Sequence, residues 1–228
     1  MSQSAVPGRD TVYVWFGRTT GGRPEAARRL LRRVGGTLLG RAEAEIRVGR
    51  DAAGRPFVRA GDAAELPVSV SHAGDAVVVA ARRAGPVGID VEARRELPAV
   101  ALARRWYAPA EAAWLAGRPA ERRAEAFLLL WTAKEAVGKA LGRGLRDGGL
   151  GRPMPLPGGP GELLRPVPGP GGLRVGHPRL AGDTAGDPAG GASRTGGPTL
   201  FDAAAGRGAL LLAVAVDGPV DGVEIITD

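Results

Sequence analysis

The chain has 228 residues, of which 44% are hydrophobic, with a formal net charge of +7 and no cysteine. This length can bury one substantial core or two small lobes, and the lack of cysteine excludes a disulfide framework and thiolate chemistry. The sequence contains neither an apolar signal core nor a run of about 18 apolar residues, so we expect a cytoplasmic protein without a membrane partner.

The first 86 residues predict a mixed α/β lobe. The alternating β-branched and aromatic run at 11–16 predicts a strand. Pro24 is placed to begin a helix, and the glycine pair Gly35 and Gly36 is expected to end it. Short strands are predicted after the helix, at residues 46–48, 57–58, 68–70 and 77–81.

Residues 87–228 predict a second α/β lobe. Its strands are expected at 87–91, 210–216 and 222–226, and its helices at 98–106, 109–115 and 121–142. Apolar residues recur at i, i+3 and i+4 through the last and longest of these helices. Half of residues 148–198 are glycine or proline, so we expect a poorly ordered insertion there, with short strands surviving inside it around 162–165 and 173–175.

The long helix carries the only two lysines of the chain, Lys134 and Lys139; every other basic residue is arginine. Arginine is a flat fork and lysine a compact point charge, so two retained lysines suggest sites that arginine cannot serve, although two residues could also be chance. Read alone, Glu135 and Lys139 form an i,i+4 surface pair worth about 0.2–0.5 kcal/mol.

Two acidic residues lie two positions apart: Asp90 is in the strand predicted at 87–91, and Glu92 is one residue beyond its end. This spacing places both carboxylates on one face. A third carboxylate from a helix would complete an oxygen site of the kind that magnesium prefers. The alternative is a strand end that runs into a charged loop.

Taken together, GIDVE at 88–92 and WTAKEAVGK at 131–139 resemble the paired signature of the 4'-phosphopantetheinyl transferases. The interval of 45 residues between Asp90 and Glu135 suits that pattern. The resemblance covers roughly residues 23–145 and includes three further segments: Gly54-Arg55-Pro56, Ser71-His72 and the Gly-x-Gly-Leu run at 142–145. The sequence departs from the family where Arg55 replaces the usual lysine.

The resemblance is to the long, two-lobed type, which activates peptide and polyketide synthetases. It implies an α+β fold of two similar α/β lobes, 1–86 and 87–228, related by a pseudo-twofold axis with the active site between them. It also implies the holo-[acyl-carrier-protein] synthase reaction. In that reaction, magnesium-dependent transfer moves 4'-phosphopantetheine from coenzyme A to a serine of an acyl or peptidyl carrier protein and releases adenosine 3',5'-bisphosphate. A monomer that does not bind nucleic acid is expected.

The same resemblance implies roles for individual residues. The implied metal ligands are Asp90, Glu92 and Glu135. The implied coenzyme A contacts are Arg23, Arg55, Ser71, His72, Asp90, Lys134, Glu135 and Lys139. The implied catalytic residues are Glu135, Lys139 and Glu111, with either glutamate a candidate for the base that takes the serine proton.

Other interpretations predict different functions. The arginine-rich helix at 24–34 could make a basic nucleic-acid-binding module, which would bind duplex with a steep salt dependence. No helix-turn-helix or RNA-binding signature accompanies it, and most of its arginines could simply form a solvated face. His72 alone could be an ordinary turn residue. A third possibility is a degenerate homologue that only binds carrier proteins; the intact acidic residues and lysines argue against it.

Overall fold

The computed structural model describes residues 11–52, 54–62, 65–146, 148–157, 164–169, 171–178 and 210–227. In the first half the elements are β1 (Thr11–Arg18), α1 (Arg23–Leu39), β2 (Ile46–Arg50), β3 (Pro56–Ala60), β4 (Leu66–Ala73) and β5 (Ala76–Arg82). In the second half they are β6 (Val87–Ala93), α2 (Ala99–Trp106), α3 (Pro109–Ala116), α4 (Ala120–Ala140), β7 (Arg165–Pro166), β8 (Leu173–Gly176), β9 (Leu210–Asp217) and β10 (Gly222–Thr227).

These strands form two sheets. One has six strands in the order β10-β1-β5-β4-β3-β2, and the other has four in the order β6-β9-β8-β7. Helix α1 packs on the first sheet and α4 on strands β6 and β9 of the second. The predicted α+β class is therefore confirmed, whereas the pseudo-twofold relation of two similar lobes stays a prediction.

Strand β5 is buried along its whole length because both of its faces are covered. One face, with Val77 and Val79, contributes to the core under α1, and the other, with Val78, packs against side chains of β6 and β9. The face of the first sheet that carries Val78 therefore packs against the second sheet, and the two sheets share a core. This double burial explains why the sequence at 77–81 is a continuous apolar run rather than an alternating one.

Helix α1 runs five residues beyond its predicted end. Gly35 lies inside it, where a Cβ atom would come 2.4 Å from Val58 and 2.7 Å from Ile46. The glycine therefore allows close packing of the helix on β2 and β3 rather than ending the helix. The left-handed residue that does end it is Gly40, with φ 65°.

The last strand does not stay with the second half of the chain. Strand β10 pairs in parallel with β1, so it extends the first sheet across the predicted boundary at residue 86. Buried Arg82, at the end of β5, donates hydrogen bonds to the carbonyls of Asp217 (2.7 Å) and Pro219 (2.6 Å) in the β9–β10 connection. The two predicted lobes are therefore interlocked.

Part of the segment 148–198 is packed. Strands β7 and β8 extend the second sheet from β9. Apolar side chains on and beside them are buried, namely Met154, Leu164, Val167 and Val175. Strand β8 lies where a short strand was expected at 173–175, and β7 includes Arg165 of the other expected strand. A few well-spaced apolar side chains thus anchor these residues, and the order of the rest of the segment stays a prediction. Residues 158–163, 170 and 179–198 lie outside the described residues.

Helix α4 is buried on nearly every side, rather than along the single apolar stripe that the sequence predicts. Gly88 of β6 permits the closest approach, because a Cβ atom there would lie 1.9 Å from the carbonyl oxygen of Ala136. At its other end, the helix is followed by a loop that folds back so tightly that a Cβ atom on Gly138 would lie 2.2 Å from the oxygen of Gly144. None of the described helices is long and apolar enough to cross a bilayer.

Candidate active site

Asp90 of β6 lies where β4, β6 and α4 meet, and it is only 5% exposed. Its Oδ1 accepts hydrogen bonds from the hydroxyl of Ser71 on β4 (2.8 Å) and from the ammonium of Lys139 on α4 (2.7 Å). No described residue donates a hydrogen bond to its buried Oδ2. One carboxylate oxygen is thus held firmly while the other is left without a partner.

Lys139 is a bridge between elements rather than a surface residue paired with Glu135. Its ammonium donates to Asp90 Oδ1, to Ser71 Oγ (3.1 Å) and to the carbonyl of Ile89 (3.0 Å). Three acceptors that converge on one point suit the three protons of an ammonium and do not suit a flat guanidinium. This geometry gives a physical reason for a lysine in an arginine-rich chain.

Ser69 and Ser71 join β4 to β6 through their side chains. The hydroxyl of Ser69 accepts the backbone N–H of Ile89 (3.1 Å), and that of Ser71 accepts the N–H of Val91 (3.3 Å). Residues two apart on a strand share a face, so both hydroxyls reach the same neighbour. Ser71 was expected to contact coenzyme A, but its hydroxyl points at Asp90. The role of Ser69 was not predicted; the Ser-Val-Ser alternation at 69–71 is the sequence feature that could have indicated it.

Glu135 and Glu92 complete an acidic cluster around Asp90. Burial raises the pKa of half-buried Glu135; Asp90 and Glu92 raise it further, and Lys139 partly offsets them. Burial also raises the pKa of Asp90, against the opposing effect of Lys139. Carboxylates that destabilise one another's charge in this way favour a cation between them.

The cluster is not a closed metal site as it stands. Within the described ranges, no three His, Asp or Glu side chains converge closely enough to coordinate one ion. The guanidinium of Arg95 holds Glu92 Oε2 at 2.7 Å, and Lys139 holds one oxygen of Asp90. The donor set is nevertheless all oxygen, and the orphaned Asp90 Oδ2 fits a hard cation such as magnesium, which binds few protein carboxylates and retains waters.

Lys134 and Glu111 form a buried ion pair. They are 1% and 2% exposed, and the ammonium donates to both carboxylate oxygens at 2.9 and 2.7 Å. Lys134 also donates to the carbonyl of Arg152 (2.6 Å). This placement does not favour the expected contact of Lys134 with coenzyme A, because the side chain is enclosed and its ammonium already donates to Glu111 and Arg152.

Both oxygens of Glu111 also accept backbone N–H groups. Ala108, just before α3, donates to Oε2 (3.0 Å), and Met154 donates to Oε1 (2.7 Å). A carboxylate with this many donors, buried in the core, would have to break its network to take a proton from a substrate. Of the two candidate bases, the placement favours Glu135, which is half-buried beside Asp90.

A cleft of about 660 Å³ opens between the β2–β4 region and the end of α4, with Lys139 in its wall. Its basic lining residues are Arg50, Arg55, Lys139, Arg143 and Arg146. Arg55 is exposed, pairs with Asp51 at 2.6 Å and lies over Gly142, whose Cβ would come 2.8 Å from the guanidinium. Four arginines and a lysine make this cleft attractive to a polyanion.

Arg23 and His72 are exposed and lie outside the lining of that cleft. Arg23 donates a hydrogen bond from Nε to the carbonyl of Gly74 (3.1 Å), which places it beside the turn that follows His72. The hydrogen bond therefore goes to the turn that begins two residues after His72, not to the side chain of His72. Their role toward coenzyme A stays a prediction.

Comparison with known proteins agrees with the motifs. A family model described as the 4'-phosphopantetheinyl transferase superfamily matches residues 86–154. The chain is 39% identical over 98 residues to 4'-phosphopantetheinyl transferase psf-1 of Bacillus pumilus, covering 42% of this chain and 39% of that one. It is 31% identical over 124 residues to 4'-phosphopantetheinyl transferase HetI of Nostoc sp., covering 53% of this chain and 52% of that one.

A third relative is 4'-phosphopantetheinyl transferase gsp of Aneurinibacillus migulanus, 34% identical over 92 residues that cover 40% of this chain and 36% of that one. The matches thus span about half the length of these curated relatives, or less. The region matched by the family model contains β6 and α4, which carry Asp90, Glu135 and Lys139. Residues 86–154 therefore resemble the 4'-phosphopantetheinyl transferase superfamily, and the segments aligned with these relatives point to the same family.

Proposed function

We propose that the protein transfers 4'-phosphopantetheine from coenzyme A to a serine of an acyl or peptidyl carrier protein. The observation that carries the proposal is Lys139, which bonds Asp90 of the acidic cluster on one side and lines the basic cleft on the other. A cluster that favours a cation thus adjoins a cleft that favours an anion. A pyrophosphate-containing substrate with a bound divalent cation matches both.

Coenzyme A fits the cleft by charge. Its pyrophosphate and 3'-phosphate are anionic, and four arginines of the lining can neutralise them. Arg55 can turn toward a phosphate because it is exposed and, among the described residues, is held by the acidic side chain of Asp51. The reacting pyrophosphate would lie at the Lys139 end of the cleft, where the acidic cluster begins.

Magnesium would be held by Asp90, Glu135 and Glu92. Arg95 holds Oε2 of Glu92, so the cation would use Oε1 or displace Arg95. When bound, the ion would supply charge neutralisation for the pyrophosphate and its departing half. The ammonium of Lys139 would contribute a further positive charge without leaving Asp90, since it already stands in the wall of the cleft.

Glu135 would act as the base. Its half-buried carboxylate lies beside Asp90, whereas that of Glu111 is enclosed and fully hydrogen-bonded. The proton of the carrier serine passes to Glu135 as the serine oxygen forms a bond to the nearer phosphorus of the pantetheine arm. The bond from that phosphorus to the bridging oxygen breaks, and adenosine 3',5'-bisphosphate leaves with the electron pair.

The proposal is tested by incubating the protein with coenzyme A, magnesium and an apo carrier protein, and measuring the intact mass of the carrier. A gain equal to one phosphopantetheine arm is expected for wild type and not for Asp90→Asn. A protein that binds the apo carrier without a mass gain would instead be a carrier-binding homologue, and salt-steep duplex binding without transfer would favour the nucleic-acid alternative.

A further inference from the structure

We propose that Ser71 is a positioning residue that fixes the carboxylate of Asp90 so that Oδ2 faces the cation, and that it is not a ligand of coenzyme A. The inference rests on the proposed function, because it assigns Asp90 to a divalent cation. It deepens that function by giving Ser71 a different task from the one the sequence predicts.

The proton of the Ser71 hydroxyl can be located from its neighbours. A serine hydroxyl has one proton to donate and two lone pairs to accept with. The N–H of Val91 (3.3 Å) and the ammonium of Lys139 (3.1 Å) both donate to this oxygen. Its single proton is therefore directed at Asp90 Oδ1, 2.8 Å away.

Counting donors against lone pairs in the same way shows that one oxygen of Asp90 has all the hydrogen bonds it can accept. Oδ1 accepts from Ser71 and from Lys139, at 2.8 and 2.7 Å, which occupies both of its lone pairs. Oδ2 is buried and has no donor among the described residues. Two donors on one oxygen stop the carboxylate from rotating, and the cation is left with the other oxygen. Groups that orient a metal ligand in this way usually affect metal affinity 10- to 100-fold.

Ser69 serves as the control for metal binding without coenzyme A; because it also lines the cleft, it is not a control for coenzyme A affinity. Ser69 and Ser71 lie on the same strand, are 5% and 6% exposed, and each accepts one N–H from β6. Only Ser71 is hydrogen-bonded to Asp90. Replacing either serine by alanine removes one hydroxyl from the contact between β4 and β6, so a purely structural role predicts similar effects for both.

The experiment measures Mn²⁺ binding to the full chain by electron paramagnetic resonance, with Mn²⁺ as the probe for magnesium, in the absence and presence of coenzyme A. Wild type, Ser71→Ala and Ser69→Ala are compared, together with their melting temperatures and their metal-free affinities for coenzyme A. We expect Ser71→Ala to bind Mn²⁺ at least about tenfold more weakly. Without coenzyme A, Ser69→Ala should bind Mn²⁺ like wild type even where its melting temperature falls as far.

Three results would overturn the inference. The first is equal Mn²⁺ affinity in the two variants, and the second is an absence of Mn²⁺ binding by wild type both with and without coenzyme A. The third is a loss of metal-free coenzyme A affinity in Ser71→Ala relative to wild type, which would make Ser71 a ligand of that molecule. If the Mn²⁺ difference is found but no carrier protein is modified, the positioning role stands and the proposed transfer fails.

Discussion

Replacing Gly88 with alanine should both destabilise the protein and disable the candidate site. The new Cβ atom would lie 1.9 Å from the oxygen of Ala136 and 2.6 Å from the nitrogen of Ala140. Both contacts are backbone atoms of α4, so neither can move aside by a rotamer change. Strand β6 and helix α4 would have to separate by about 1 Å or more to reach an ordinary contact distance of roughly 3.5 Å.

The magnitude follows from that displacement. Overpacking of a core typically costs about 1–3 kcal/mol, and the upper end is expected where backbone meets backbone. Asp90 lies two residues beyond Gly88 and bonds Lys139 of α4 at 2.7 Å. A shift of about 1 Å would stretch this bond past a normal hydrogen-bond length, and misplacement of that size can reduce a rate about 100-fold.

The assay combines urea unfolding with the rate of carrier modification for wild type and Gly88→Ala. Gly222→Ala is the control, because nothing lies within 4 Å of a Cβ atom at that position of β10. The control should keep wild-type stability within about 0.5 kcal/mol, as substitutions without steric conflict usually do. Wild-type stability and rate in Gly88→Ala would refute the packing argument.

Lys139→Arg should lower the transfer rate about tenfold or more and also lower the melting temperature. The reason is that a guanidinium cannot place one nitrogen against three convergent acceptors. Equal transfer rates for the variant and wild type would contradict this. Glu111→Ala should cost about 3–5 kcal/mol in urea unfolding, because it leaves Lys134 buried and unpaired, and Glu111→Leu combined with Lys134→Met should recover much of that loss. A double variant no more stable than Glu111→Ala would show that the pair itself is stabilising. Burial lowers the pKa of His177 to about 4, below its ordinary value of 6.5. The unfolded chain therefore binds more protons between these values, and wild type should lose up to about 3 kcal/mol of stability as pH falls from about 6.5 to about 4. His177→Gln should not show this component, and parallel stability curves against pH for the two proteins would contradict the assignment.

The sequence predicts most of the core strands and the central helix, because their signals are local. The apolar run at 77–81 and the alternation at 11–16 both lie within observed strands, β5 and β1. The pairing of β10 with β1 could not be predicted in the same way, because the residues of a strand do not specify which strand, about two hundred positions away, will pair with it. The packed glycine Gly35 was misjudged for a similar reason: only its contact with Val58 distinguishes it from a helix end.

The candidate site was predictable in its acidic residues and less so in its lysines. Asp90, Glu92 and Glu135 share one electrostatic environment. The spacing of Asp90 and Glu92 on a strand suggested that these two lie together, and the family resemblance added Glu135. The two lysines differ, because Lys134 is enclosed in the core with Glu111 while Lys139 reaches Asp90. Composition indicated that both lysines matter, but only the packing of α4 shows that one faces the interior and the other faces the cleft.

Transfer of phosphopantetheine from coenzyme A to a carrier protein is most directly tested by following one reaction with two readouts. The intact mass of an apo carrier protein and the amount of adenosine 3',5'-bisphosphate are measured over time with coenzyme A and magnesium, and again with a chelator in place of magnesium. We expect one bisphosphate to be released for each carrier modified, no modification of a carrier whose acceptor serine is alanine, and loss of both signals with the chelator. Bisphosphate release without carrier modification, or an unmodified carrier that an established transferase converts under the same conditions, would contradict the proposed transfer.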